Sequence, residues 1–72
     1  MKTLKRAVIY GAGGLGREIK ELLNDINSVS PQWNVLGFID DGVRPGTMID
    51  ELSVLGDVHY FDGERGSLSV IF

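Results

Sequence analysis

Ala7-Val8-Ile9-Tyr10-Gly11-Ala12-Gly13-Gly14-Leu15-Gly16-Arg17 is the stretch on which the fold turns. Its first four residues form a continuous apolar run closed by glycine, the pattern of a strand buried on both faces of a parallel sheet. A glycine-rich turn follows. Beyond it, Leu15, Ile19, Leu22, Leu23 and Ile26 recur at helical spacing and form one apolar stripe. Arg17, Glu18, Lys20, Glu21, Asn24 and Asp25 fall on the wet side. The order is strand, turn, helix.

Working outward, Asn27-Ser28-Val29-Ser30-Pro31 predicts that the helix stops before Asn27. The polar residues favour turns, and proline excludes helix at the position before it. Val35-Leu36-Gly37-Phe38-Ile39 then reads as a second strand ending at Asp40-Asp41-Gly42. Strand, crossover helix and strand in one sheet imply a right-handed parallel unit. Trp33, just ahead, reads as a packing residue. Past residue 42 the pattern weakens. Pro45-Gly46 marks a turn. Thr47-Met48-Ile49-Asp50 fits either a capping box opening a short helix or an irregular segment. Val54-Leu55-Gly56 reads as extended, His59 to Asp62 as a helical turn broken by Gly63, and Leu68 to Phe72 as a strand. The fold class expected is therefore α/β, a small Rossmann-like βαβ unit with a mostly parallel sheet. One substantial helix is little cover for such a sheet, and the chain stops inside an apolar strand. A fragment of a longer polypeptide is expected.

The turn has its own chemistry. Gly11, Gly13 and Gly16 fit G-x-G-x-x-G in the required context of strand before and helix after. Gly11 permits the tight turn, Gly13 lets a phosphate approach the backbone, and Gly16 lets the helix pack closely; Gly14 leaves further room. Free amides at the helix start and the positive end of its dipole would hold an anion. A glycine used for geometry alone remains the competing reading. Asp40, at the end of the second strand, is positioned to accept hydrogen bonds from ribose hydroxyls, or simply to turn the chain with Asp41 and Gly42. Arg17, in the first helical turn, can pair with a phosphate or with Glu21 one turn on. His59, the sole histidine, has no catalytic partner or metal-ligand cluster close in sequence and reads as a surface residue. Tyr60 and Phe61 read as core.

Composition narrows the classes. With 72 residues the chain allows one domain, and one of this size buries only about 60% of its unfolded surface. A hydrophobic fraction of 43% and mean hydropathy of +0.06 suit a globular protein rather than a disordered one. A net charge of −3 and pI near 4.8 give no basic stripe for nucleic acid. Lys2, Lys5 and Arg6 read as a solvated N-terminus. Zero cysteines exclude a disulfide framework and a thiolate zinc site. No apolar run approaches a membrane span or a secretory signal, and a cytoplasmic location is expected.

Three motifs in order are more specific than the turn alone: Val8 to Glu18 around the glycines, Gly37-Phe38-Ile39-Asp40-Asp41, and Val54-Leu55-Gly56-Asp57. Together they resemble the N-terminal domain of bacterial sugar O- and N-acyltransferases. That family comprises sialic acid O-acetyltransferase-like proteins and acetyltransferases of nucleotide-linked amino sugars. The resemblance covers essentially the whole chain. It implies a Rossmann-like domain holding a nucleotide-sugar, followed by a left-handed parallel β-helix that binds acetyl-CoA, carries the catalytic histidine and assembles as a homotrimer. On that basis Gly11, Gly13, Gly14 and Gly16 would face the phosphates, and Asp40 with Asp41 the nucleoside. Acetyl-CoA would not bind this domain, His59 would not inherit the catalytic role, and no metal is implied. The family very often has histidine where this chain has Leu15, for which a packing role is expected. This domain alone would bind rather than catalyse.

Two other readings stay open. In an NAD(P)-binding domain of an oxidoreductase, the same glycines and Asp40 would serve the pyrophosphate and ribose, although no second long helix or second mononucleotide half follows. In a ligand-sensing or oligomerisation module the glycines would be purely architectural.

Overall fold

The computed structural model describes residues 3–64 and 66–72. Strand β1 (Lys5–Tyr10) runs into the glycine turn, and helix α1 (Gly14–Val29) leaves it. The helix passes through Asn27 and ends three residues later than expected, with Ser30 just ahead of Pro31. Asn27 does not break the helix because its side chain reaches across to the next strand. Its Oδ1 accepts the amides of Gln32 and Trp33, each at 3.0 Å, and its Nδ2 donates to the Trp33 carbonyl at 2.8 Å. That stitch sets where β2 (Trp33–Ile39) begins.

The sheet has five strands in the order β3-β4-β2-β1-β5, where β3 is Met48–Ile49, β4 Leu52–Gly56 and β5 Ser69–Ile71. Strand β1 is parallel to both β2 and β5, and β2 is parallel to β4; only β3 runs antiparallel, against β4. The mostly parallel Rossmann-like unit expected from the sequence is therefore present. On one face Ile9, Ala12, Leu23, Phe38 and Val54 form the buried cluster beneath α1. Strand alternation puts Arg6, Val8 and Tyr10 on the other face. There Val8 and Ile39 are fully buried as well. Arg6, on that second face, forms an ion pair with Glu64, which follows the 3₁₀ segment after β4.

The helix is rotated relative to the simplest reading of its stripe. Gly16, Lys20 and Leu23 turn toward the sheet, so Lys20 is buried while Leu15 and Leu22 are 69% and 58% exposed. The packing role expected for Leu15 is thus not met. Lys20 lines a small cavity together with Val35 and Leu52, and a long amphipathic side chain can bury its stem on such apolar surface.

Residues 47–50 form neither a helix nor an irregular segment. Thr47 donates its hydroxyl back to the Arg44 carbonyl at 2.7 Å instead of capping a helix, and Met48–Ile49 pair with β4 as a hairpin. Asp50 and Glu51 make its turn with φ of +48° and +73°. Two positive φ values are what a tight two-residue hairpin needs, though Asn-Gly is the usual sequence for it. The helical turn expected at residues 59–62 is a 3₁₀ helix, Val58–Gly63, opened by Asp57, whose Oδ1 accepts the His59 amide at 2.9 Å. Tyr60 and Phe61 are half-buried and meet edge to face at 6.1 Å.

Candidate functional site

Strand β1 lies between β2 and β5. The chain leaves it toward β2 on one side and comes back to β5 on the other. In an open parallel sheet this reversal creates a crevice at the carboxyl ends of the strands, where ligands bind. The glycine turn follows the carboxyl end of β1, Asp40-Asp41 follows β2, and Asp57 follows β4. The topology therefore brings the sequence-predicted site residues to one edge of the sheet.

Within the turn the glycines have different duties. Gly11 has φ of +96°, a conformation costly for any other residue, and donates its amide to the Ile39 carbonyl at 2.7 Å. Gly16 sits against that same corner: a Cβ there would lie 2.0 Å from the Gly11 carbonyl oxygen. Close helix packing, the role expected of Gly16, is met, and its partner is the turn's own backbone. Gly13 and Gly14 face open space, since a Cβ at either would meet nothing within 4 Å. Gly13 is the N-cap residue, extended at φ −80°, and no side chain caps the helix. No acidic residue occupies the first turn. The helix thus presents its first amides and its dipole to an unobstructed approach.

Asp40 holds the turn from the neighbouring strand. Its Oδ2 accepts the Ala12 amide and its Oδ1 the Gly42 amide, both at 2.8 Å. The Ala12 bond, then the Gly42 bond, keep its carboxyl below the usual aspartate range. The turn role weighed for Asp40 is present, and so is a tie to the glycine loop that local sequence does not reveal. Asp41 accepts the Val58 amide on Oδ1 at 3.3 Å, and its Oδ2 lies 3.5 Å from the Tyr10 hydroxyl. Burial, then the Asp41 charge, raises the Tyr10 phenol above its ordinary value.

Tyr10 was not singled out in the sequence beyond its place in the strand. The available signal was a hydroxyl-bearing residue at the carboxyl end of β1, directly before the first glycine. Its ring stacks on Phe72 with centroids 5.6 Å apart. Arg17 does not pair with Glu21, the protein partner weighed for it. Its Nε is 3.8 Å from Asp50 Oδ2 in the hairpin turn. His59 is a surface residue as expected, yet it does have an acidic neighbour: Nδ1 lies 3.2 Å from Asp62 Oδ2, which with Asp57 raises its pKa.

Among the described residues there is no group of three or more His, Cys, Asp or Glu suited to a metal ion. Likewise, no described helix is long and apolar enough to cross a membrane. A cavity of about 720 Å³ opens at the opposite, amino end of β1 and β5, between Lys5, Arg6, Ser67 and Ser69. Despite its size it lies away from the glycine turn, and the chemistry described above is at the carboxyl edge.

The family model of the PglD N-terminal domain matches residues 6–68, which takes in β1, the glycine turn, α1, the Asp40-Asp41 corner and β4. No curated protein and no solved structure matches the chain. The matched span contains every residue that builds the carboxyl-edge site except Phe72, and it covers most of the sequence. The chain belongs to the PglD N-terminal domain family, the N-terminal domain of PglD-type sugar acetyltransferases.

Proposed function

We propose that this domain holds a nucleotide-linked sugar as the substrate-binding part of an acetyl-CoA-dependent sugar acyltransferase. The phosphates would lie on the amides at the start of α1, over Gly13 and Gly14, with Gly11 and Gly16 shaping the turn beneath them. Asp40 and Asp41 would meet the nucleoside. A carboxylate has about four lone-pair positions, so Asp40 can accept a ribose hydroxyl while still holding the Ala12 and Gly42 amides. Arg17 would reach the phosphates only by leaving Asp50, a weak exposed pairing. Acetyl transfer, with a sugar amine or hydroxyl attacking the thioester and a general base taking its proton, would take place on a β-helix domain that binds acetyl-CoA. The whole protein would be a cytoplasmic homotrimer.

The observation that carries this reading is the uncapped start of α1, open at Gly13 and Gly14 and beside an acidic corner. The test is calorimetric titration of the chain with UDP, UDP-N-acetylglucosamine, CMP-sialic acid, NAD and acetyl-CoA, repeated on Gly13→Val. A Cβ there would meet nothing within 4 Å and valine suits the extended backbone, so the fold should survive. The expected result is binding of a nucleotide-sugar, weakened by about tenfold or more in the variant. Preference for NAD would move the domain to the dehydrogenases. Silence from all five ligands would leave the turn as architecture.

A further inference from the structure

The exposed side of α1 carries a second apolar line, separate from the buried stripe. Leu15, Leu22 and Val29 stand seven residues apart and are 69%, 58% and 88% exposed. At about 100° per residue successive members lie about 20° apart, so the line spans only about 40° of the helix surface along its full length. Ile19 and Ile26, half-buried against the core, border the line on one side. The five positions follow the alternating four-three spacing with which one helix packs against another. Scattered exposed leucines need no explanation, but a continuous ridge does.

Charge selects the occupant. On its other border the ridge is edged by Glu18, Asp25 and Glu21, all exposed and all within about 100° of it. No cation lies in that arc: Arg17 points further round the helix toward Asp50, and Lys20 is buried on the sheet side. A second copy packed antiparallel about Leu22 would set Glu18 of one copy against Asp25 of the other, a like-charge contact that disfavours self-association. We propose that this face of α1 is a docking surface for an amphipathic helix of another polypeptide segment, apolar along its seam and flanked by lysine or arginine. The ridge supplies the buried contact, and the acidic border supplies orientation and selectivity against acidic helices.

The experiment uses fluorescence anisotropy of the chain with a labelled three-heptad peptide that has leucine at the seam positions and lysine on the flanks. A twin with glutamate flanks serves as control. The lysine-flanked peptide should bind saturably, more weakly as salt rises, and at least about tenfold more tightly than its twin. Leu22→Asp makes the chain more acidic yet removes the centre of the ridge, so it should lose affinity by about tenfold or more, with its circular dichroism unchanged. The charge reversal Glu18→Lys with Asp25→Lys leaves the ridge intact and should invert the preference between the peptides. Undiminished binding by Leu22→Asp would reduce the effect to bulk charge and overturn the proposal. So would equal affinity for the two peptides. A concentration-dependent dimer, seen by sedimentation and abolished by Leu22→Asp, would assign the face to a second copy instead.

Discussion

The two halves of this chain are held in different ways. From β1 through β2 the structure is built of long regular elements, with the 16-residue helix α1 packed over Ile9 and Phe38. Among the described residues from 43 onward there are only short strands and a 3₁₀ helix, and the one fully buried side chain is Val54. That half is joined to the first by strand pairing and by single polar contacts: Glu64 to Arg6, Asp41 to the Val58 amide and Asp50 to Arg17. The comparison separates burial, which acts collectively and is written as periodicity, from point attachments made between distant residues.

The largest effect that can test this contrast is Phe38→Ala. Phe38 has no exposed surface and joins the core of α1 to the centre of the sheet. Truncation should cost about 3–5 kcal/mol, enough to unfold much of a domain this small, and the urea midpoint will measure it. A loss no greater than that of Val54→Ala would erase the distinction between the halves.

Next comes Gly16→Ala, expected to cost about 2–3 kcal/mol because its Cβ would strike backbone, not a movable side chain. Gly13→Val, only three positions away, should cost no more than about 1 kcal/mol, the difference between glycine and valine as an N-cap. Equal effects at the two glycines would break the division between architectural and open positions in the turn.

For the second half, Glu64→Gln should cost about 1 kcal/mol, since the ion pair is partly screened by solvent. Its signature is faster hydrogen exchange in β5 and the 3₁₀ helix, with α1 left protected. A uniform loss of protection across the chain would mean that the halves unfold as one.

The smallest effect is pH-dependent. Asp40 has a lowered carboxyl pKa in the folded state, so the unfolded chain binds the proton more readily. The stability it contributes is complete above the ordinary aspartate value of about 4 and drains away as pH falls through the lower folded value. Asp40→Asn should flatten that part of the acid limb in urea titrations at stepped pH. An unchanged limb would show that the tie between the two halves of the βαβ unit carries no energy.

Legibility in the sequence followed the same division. The strand, turn and helix around Gly11 to Gly16 were readable because period and glycine spacing are local properties, and so was the acidic corner at the end of β2. The rotation of α1 was less so. Leu15 and Leu22 share a helical stripe with Leu23, yet the side that meets the sheet is set by how closely Gly16 approaches Gly11. The hairpin at Asp50-Glu51 was hidden because its positive φ values fall on residues that do not advertise them. The Ala12 tie to Asp40, the pairing of Arg17 with Asp50 and the contact of Tyr10 with Asp41 join residues far apart in sequence. No local pattern encodes such contacts.

The glycine turn itself is pinned at several points: the Gly11 amide on Ile39, the Ala12 amide on Asp40, and Gly16 against the Gly11 carbonyl. A loop so constrained has little conformational freedom left to surrender. On the proposed reading, an anion arriving there would meet a mould already set, and the entropy that a floppy glycine loop would forfeit on binding has been spent in folding.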